Sequence, residues 1–223
     1  LRQSQDADIC LALEPEPDCL LERTEDVVDF YERQLLPRGV PLLAAAMGCG
    51  KADAEKHMRR HLGACLDTCH MAVQFEDAED SLEQLQRNGI RIGKIQISSA
   101  LRAEPTRAAL DALAALDDSV YLHQVRIADV QGRIERCPDL SPAVLARIVP
   151  QPGAELRTHV HVPLYFERSG PLQSTIGALS DGFWQKAALF TEQLEVETYT
   201  MDMLPDEMKT ANIEESIVRE LEW

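Results

Sequence analysis

The chain has 223 residues, 45% hydrophobic and 27% charged, with a formal net charge of −16. It is long and apolar enough for one large domain or two small ones with a real core, which excludes a disordered chain. Its acidity repels phosphate backbones and anionic lipid surfaces, and no apolar run approaches the roughly 20 residues of a membrane span, so neither nucleic-acid partners nor membrane insertion are expected.

Aromatic residues make up only 5% of the chain, so Ala, Leu, Val and Ile must fill the core. Cys10, Cys19, Cys49, Cys65, Cys69 and Cys137 include several within apolar runs, and no signal peptide precedes them. This reads as reduced thiols in a cytoplasmic protein. The chain begins at Leu1 and reaches a strand within ten residues, which reads as a piece of something longer.

Ile9-Cys-Leu-Ala-Leu13 is a continuous apolar run stopped by Glu14-Pro-Glu-Pro17, a strand running into a loop. Thr24 can cap a helix over about 25–36, with Val27, Val28, Tyr31 and Leu35 as its stripe. His57 and His61 lie one turn apart on a basic helix, which reads as a solvated face, and Gly48-Cys-Gly-Lys51 lacks the spacing of a phosphate loop and reads as a turn. Ala64-Cys-Leu66 leads into Asp67, and Asp80 with Glu83 opens a helix stopped by Asn88-Gly89. Arg91 to Ile97 is a strand, followed by a helix over about 106–116. Residues 120–130 alternate like a half-exposed strand, Ser141-Pro142 starts a helix, and Thr158 to Phe166 is a strand. Residues 175–190 read as a helix, Leu194 to Thr200 as a strand, and Asn212 to Trp223 as a final helix.

Alternating strands and helices with buried strands predict an α/β fold with a parallel sheet and helices outside. Four such units, with a two-strand excursion inserted at about 118–168, make half of an eightfold barrel, and a start without methionine fits a missing amino-terminal half. In such folds ligands collect at the carboxyl ends of the strands. Those ends carry Glu14 and Glu16, Asp67 and His70, Gln96 with Arg102 six residues on, and Glu197. The excursion adds His123, His159 and His161, the last two on one strand face. Carboxylates and imidazoles converging on one face suit a divalent ion, Mg²⁺ or Mn²⁺ for oxygen ligands and Zn²⁺ as imidazoles are added. The plainer readings are a solvated loop for Glu14 and Glu16, a helix cap for Asp67, a structural role for His70 and His123, and a solvated face for His159 and His161. Cys65 and Cys69 lack a second pair at ligand spacing, which argues against a zinc finger.

Leu13-Glu14, Cys65-Leu-Asp-Thr-Cys-His70 and Glu197-Thr198 resemble the last four strands of the xylose isomerase-like TIM barrels. That superfamily includes sugar isomerases, epimerases and abasic-site nucleases of the endonuclease IV type. The resemblance implies Glu14, Asp67, Gln96 and Glu197 as metal ligands, with Gln96 standing where the family has a histidine. It implies Glu14, Glu197 and His70 as catalytic groups, and His70, Arg102, His159 and His161 as substrate contacts. Over almost the whole chain, Leu11-Ala-Leu-Glu-Pro-Glu-Pro17, Cys69-His-Met-Ala-Val73, Gly93-Lys-Ile-Gln-Ile-Ser98, Ala100-Leu-Arg102, Tyr121-Leu-His-Gln-Val125, His159-Val-His-Val-Pro163 and Leu194-Glu-Val-Glu-Thr-Tyr-Thr200 resemble the EboE family. These are metabolite traffic proteins of bacterial secondary-metabolite gene clusters. Membership implies a sugar-like or cyclitol metabolite, a divalent metal ion (Mn, Mg or Zn), and other proteins of the same cluster as partners. It implies a metal-dependent isomerase or epimerase, a non-catalytic metabolite-binding or scaffold protein, or, third, an abasic-site nuclease.

Overall fold

Strand β1 (Leu11–Leu13) is the first described element of the computed structural model, which describes residues 8–116, 122–197 and 209–223. Helix α1 (Thr24–Phe30) follows, but Thr24 does not cap it: Asp26 turns back to accept the backbone N–H groups of Glu22 and Arg23, both at 3.0 Å. The helix does not end near residue 36. A π-turn (Tyr31–Leu35) joins it to α2 (Leu36–Met47), so that the missing N–H of Pro37 falls in a first turn, where no intrahelical partner is required. Gly48, at φ 63°, supplies the left-handed turn that ends α2 before α3 (Lys51–His61).

β2 (Leu62–Asp67) runs straight into the short helix α4 (Thr68–Val73). Asp77, rather than Asp80, caps α5 (Ala78–Arg87), accepting the Asp80 N–H at 2.9 Å. β3 (Arg91–Ile97) has the expected bounds. These strands and β10 (Leu194–Val196) form a four-stranded parallel sheet in the order β1-β2-β3-β10. Gly63 permits the close approach of β2 and β3, since a side chain there would bring its Cβ to 2.5 Å from the Arg91 carbonyl oxygen. One face of this sheet, with Ala64, Leu66, Ile95 and Ile97, packs into the main core with Val27, Tyr31, Leu82, Leu85 and Phe183. Phe183 comes from α8 (Asp181–Phe190). The chemistry-bearing residues Cys65, Asp67, Lys94 and Gln96 alternate with that face, as the two-residue period requires.

The excursion is larger than expected and starts earlier. After Ser98 the chain enters β4 (Ser99–Ala103), then α6 (Arg107–Ala114), β5 (Val125–Ala128), β6 (Ile134–Cys137), α7 (Pro142–Leu145), β7 (Glu155–Val162), β8 (Arg168–Ser169) and β9 (Leu172–Ser174). The six strands make one antiparallel sheet, β6-β5-β7-β4-β9-β8, where two strands over 118–168 were expected. The helix expected over 106–116 therefore belongs to a different layer. Leu110 and Leu113 of α6 pack with Leu101, Val125, Ile127, Leu156, Val160 and Val162 behind the antiparallel sheet. Of the strand expected over 120–130, the described part is β5. The final helix α9 (Ile213–Glu222) is capped by Asn212, and the expected strand beyond Glu197 lies outside the described residues.

Alternation along β7 separates two faces. Leu156, Val160 and Val162 enter the second core, while Glu155, Arg157, His159 and His161 face the other way. That polar face carries His159 and His161 to His70, at the carboxyl end of the parallel sheet.

Candidate metal centre

Asp67 is the last residue of β2 and the cap of α4. Its Oδ1 accepts the backbone N–H groups of Cys69 at 2.6 Å and His70 at 3.1 Å, and the Ser98 hydroxyl donates to it at 3.2 Å. Asp67 is therefore a helix cap, as the plainer reading expected, and Oδ2 takes no part in that cap. Oδ2 is buried, 4.0 Å from Nδ1 of His161. Ligand atoms of Glu14, Asp67 and Glu197 lie within 4.8 Å of one another, and the Glu197 carboxyl is hydrogen-bonded to that of Asp67.

The three carboxyl groups differ in proton affinity. Burial works to raise Asp67, but the His161 and His70 imidazoles and the His70 backbone N–H together hold its carboxyl below the ordinary range. Burial and the Asp67 charge push Glu197 up to about 8. Burial also raises Glu14, against the opposing pull of His70. Of the Asp67–Glu197 pair, Asp67 is the anion at neutral pH and Glu197 holds a proton.

A cluster of imidazoles stands beside these acids. The ring centroids of His70 and His159 are 4.6 Å apart, those of His70 and His161 5.5 Å, and those of His159 and His161 5.1 Å. Each ring has its Nδ1 against an oxygen: His70 against the Pro15 carbonyl at 3.1 Å, His161 against the Glu197 carbonyl at 3.2 Å, and His159 against Oε1 of Gln124 at 2.7 Å. A carbonyl oxygen only accepts, so these contacts assign the proton to Nδ1. The Nε2 atoms of His159 and His161 then meet at 3.1 Å with lone pairs facing. Burial, followed by the neighbouring imidazoles, pushes His159 down to about 2, and burial lowers His161 as well, so neither ring relieves this contact by taking a second proton at neutral pH. Two groupings that could share an ion draw on this cluster, Asp67 with His70 and His161, and Glu16 with His70 and His159; a third joins Cys69 to His159 and His161.

The remaining expected site residues fall as follows. Gln96 lies beside Asp67 in the sheet register, but its Oε1 already accepts the Cys65 thiol at 2.5 Å. Arg102 lies in β4, bonded to Gln173 at 3.1 Å and ion-paired with Glu155 at 3.7 Å. Two contributors escaped the sequence reading. Gln124 orients His159, and Ser98 steadies Asp67; nothing in their sequence neighbourhood marks an amide or a hydroxyl as special. His123 is buried, its backbone N–H donating to Asp139 at 3.0 Å, and His61 is turned to the Ile9 carbonyl at 2.7 Å. All six cysteines are free thiols. No protein-family model, curated protein or solved structure matches the chain.

Proposed function

We propose that this chain is the carboxyl-terminal part of a xylose isomerase-like (β/α)8 barrel of the EboE type, and that it binds a divalent ion and isomerises or epimerises a sugar-like or cyclitol metabolite. The observation that carries the reading is the convergence of Glu14, Asp67 and Glu197, with ligand atoms within 4.8 Å of one another, beside three imidazoles whose protons are directed away from one another. The residues present fit a divalent ion: Glu14, Asp67 and Glu197 offer the oxygen set that suits Mg²⁺ or Mn²⁺, and His70, His159 and His161 offer imidazoles that shift preference toward Zn²⁺. The carbonyl and amide oxygens behind the three rings are the outer partners that metal-ligating histidines ordinarily have.

Such an ion would polarise a substrate carbonyl and stabilise the enediolate formed beside it. The side chains do the proton work. Glu14 and Glu197 lie near Asp67, and the carboxylate form of one would take the proton from the carbon next to the carbonyl. The carboxylic acid form of the other returns a proton to the carbonyl carbon in isomerisation, as the neighbouring hydroxyl gives its proton to the former carbonyl oxygen, or to the opposite face of the same carbon in epimerisation. Glu197, at about 8, is set to donate at neutral pH. Asp67, anchored by two backbone N–H groups, keeps its charge and position throughout.

The reading predicts that the metal-loaded protein, incubated in D2O with ketoses, aldoses and oxidised cyclitols, incorporates deuterium next to the carbonyl, and that Glu197→Gln slows this at least a hundredfold. Saturable binding without exchange would favour a binding or scaffold protein instead. Occupation of the Gln96 amide oxygen by Cys65 favours that second reading, since it removes one ligand of the expected set. The abasic-site nuclease is disfavoured by the net charge of −16.

A further inference from the structure

His159 and His161 lie two residues apart on β7, so their rings leave the strand on the same face. Their Nε2 atoms are 3.1 Å apart, and each Nδ1 is turned to an oxygen behind its ring. Two nitrogens bound to one tetrahedral zinc ion at about 2.0–2.1 Å stand roughly 3.3 Å from each other. The pair therefore has nearly the spacing of two ligands on one ion. Burial lowers the proton affinity of both rings, so a metal ion suits the place between these nitrogens better than a proton does.

A thiol stands beside them. Cys69 lies in the first turn of α4, straight after β2 of the parallel sheet, and is fully buried among Ala72, Val73 and Ala100. Ligand atoms of Cys69, His159 and His161 lie within 4.8 Å of one another. Burial, followed by the Asp67 and Glu197 charges, raises the Cys69 thiol well above its ordinary range, so without an ion it stays protonated at neutral pH. On coordination the proton passes to solvent and the sulfur binds as thiolate. One sulfur and two imidazole nitrogens suit Zn²⁺, whereas Mg²⁺ and Mn²⁺ prefer oxygen ligands. His161 offers its two ring edges to different neighbours: Nδ1 lies 4.0 Å from Oδ2 of Asp67, while Nε2 faces His159.

We propose that Cys69, His159 and His161 bind a zinc ion at a site separate from the Glu14, Asp67 and Glu197 carboxylates. The ligands come from distant parts of the chain, so their spacing in sequence shows no zinc motif. Two of them stand on a strand of the antiparallel sheet and the third on the helix that follows β2. The ion therefore ties the two sheets together, and its binding stabilises the folded chain. The site deepens the metal reading given above, since it uses two of the same imidazoles, but it requires neither the carboxylates nor isomerisation.

The test is spectroscopic titration of the purified, reduced, metal-free protein with Co²⁺, then with Zn²⁺ as competitor. A near-ultraviolet thiolate-to-cobalt charge-transfer band is expected, saturating at one cobalt–sulfur bond per chain and bleached by Zn²⁺. Cys69→Ser should abolish the band and His159→Gln should weaken it at least tenfold, while Cys65→Ser keeps it, because the Cys65 thiol is directed to Gln96. X-ray absorption at the zinc edge of the zinc-saturated wild-type chain requires no variant, and should show sulfur at about 2.3 Å as well as nitrogen at about 2.0–2.1 Å. Zinc without a sulfur ligand, or a cobalt band that survives in a folded Cys69→Ser, would overturn the proposal. Mn²⁺ binding, compared between the wild type and the Asp67→Asn, Glu197→Gln variant, reports on the carboxylates separately, so failure of one site is distinguished from failure of the other.

Discussion

Asp67 divides its oxygens between two tasks. Oδ1 holds the start of α4 and Oδ2 faces Glu14 and Glu197. An amide at this position keeps an acceptor for the cap, so Asp67→Asn should cost stability only on the order of 1 kcal/mol in a thermal melt, while abolishing metal binding. Glu197 gives the pH dependence its sign. A proton bound with a pKa of about 8 competes with a cation for the same oxygens. Metal affinity should therefore rise roughly tenfold per pH unit up to about pH 8 and flatten above it, with close to one proton released per ion bound at pH 7. Calorimetry in buffers of different ionisation enthalpy measures that proton directly, and a buffer-independent enthalpy would count against the assignment. Gln124 separates the two donor sets. Replacing it with leucine removes the oxygen that fixes the His159 proton on Nδ1, and Zn²⁺ or Co²⁺ affinity should fall roughly 10–100-fold if the imidazoles are ligands. Unchanged affinity would assign the ion to the carboxylates alone. Most of these residues were legible in the sequence: Asp67 and His70 by their spacing after a buried run, His159 and His161 by their period of two. Gln124 and Ser98 were not, because their roles depend on which strands become neighbours.

At the scale of elements, the loop after β1 carries Glu14 and Glu16 and is tied to the antiparallel sheet by Arg126, whose side chain is fully buried against Asp18 and Glu22. Arg126→Met should cost roughly 2 kcal/mol in denaturant unfolding. This is less than the 3–5 kcal/mol typical of breaking a fully buried pair, because both acids keep some access to water. The same variant should weaken metal binding, since the loop that holds Glu14 loses its anchor. Leu110→Ala on α6 tests the second core and should cost about 2–5 kcal/mol without changing metal affinity, because its neighbours lie behind the sheet. The parallel strands could be read from their apolar runs and the antiparallel sheet could not. β8 and β9 have two and three residues, too few for a period to emerge, and β4 is separated from β3 only by Ser98. An apolar helix following a strand looks the same in sequence whether it covers that strand's sheet or another, which is why α6 was expected in the wrong layer.

At the scale of the whole molecule, two sheets with separate cores meet through polar faces, and the candidate centre lies where they meet. One sheet supplies Asp67, Cys69 and His70 near its carboxyl end, and the other brings His159 and His161 over them. Among the described residues, no helix is long and apolar enough to cross a membrane. The net charge of −16 makes self-repulsion a cost of the folded state, so raising ionic strength from about 0.02 to 0.3 M should raise the melting temperature. The most direct test of the central claim is the metal content of the purified protein by elemental analysis, beside the Asp67→Asn, Glu197→Gln double variant. The account predicts one or more divalent ions per chain, lost in the variant while its fold persists. A folded protein without metal, or a variant that keeps the ion, would contradict it.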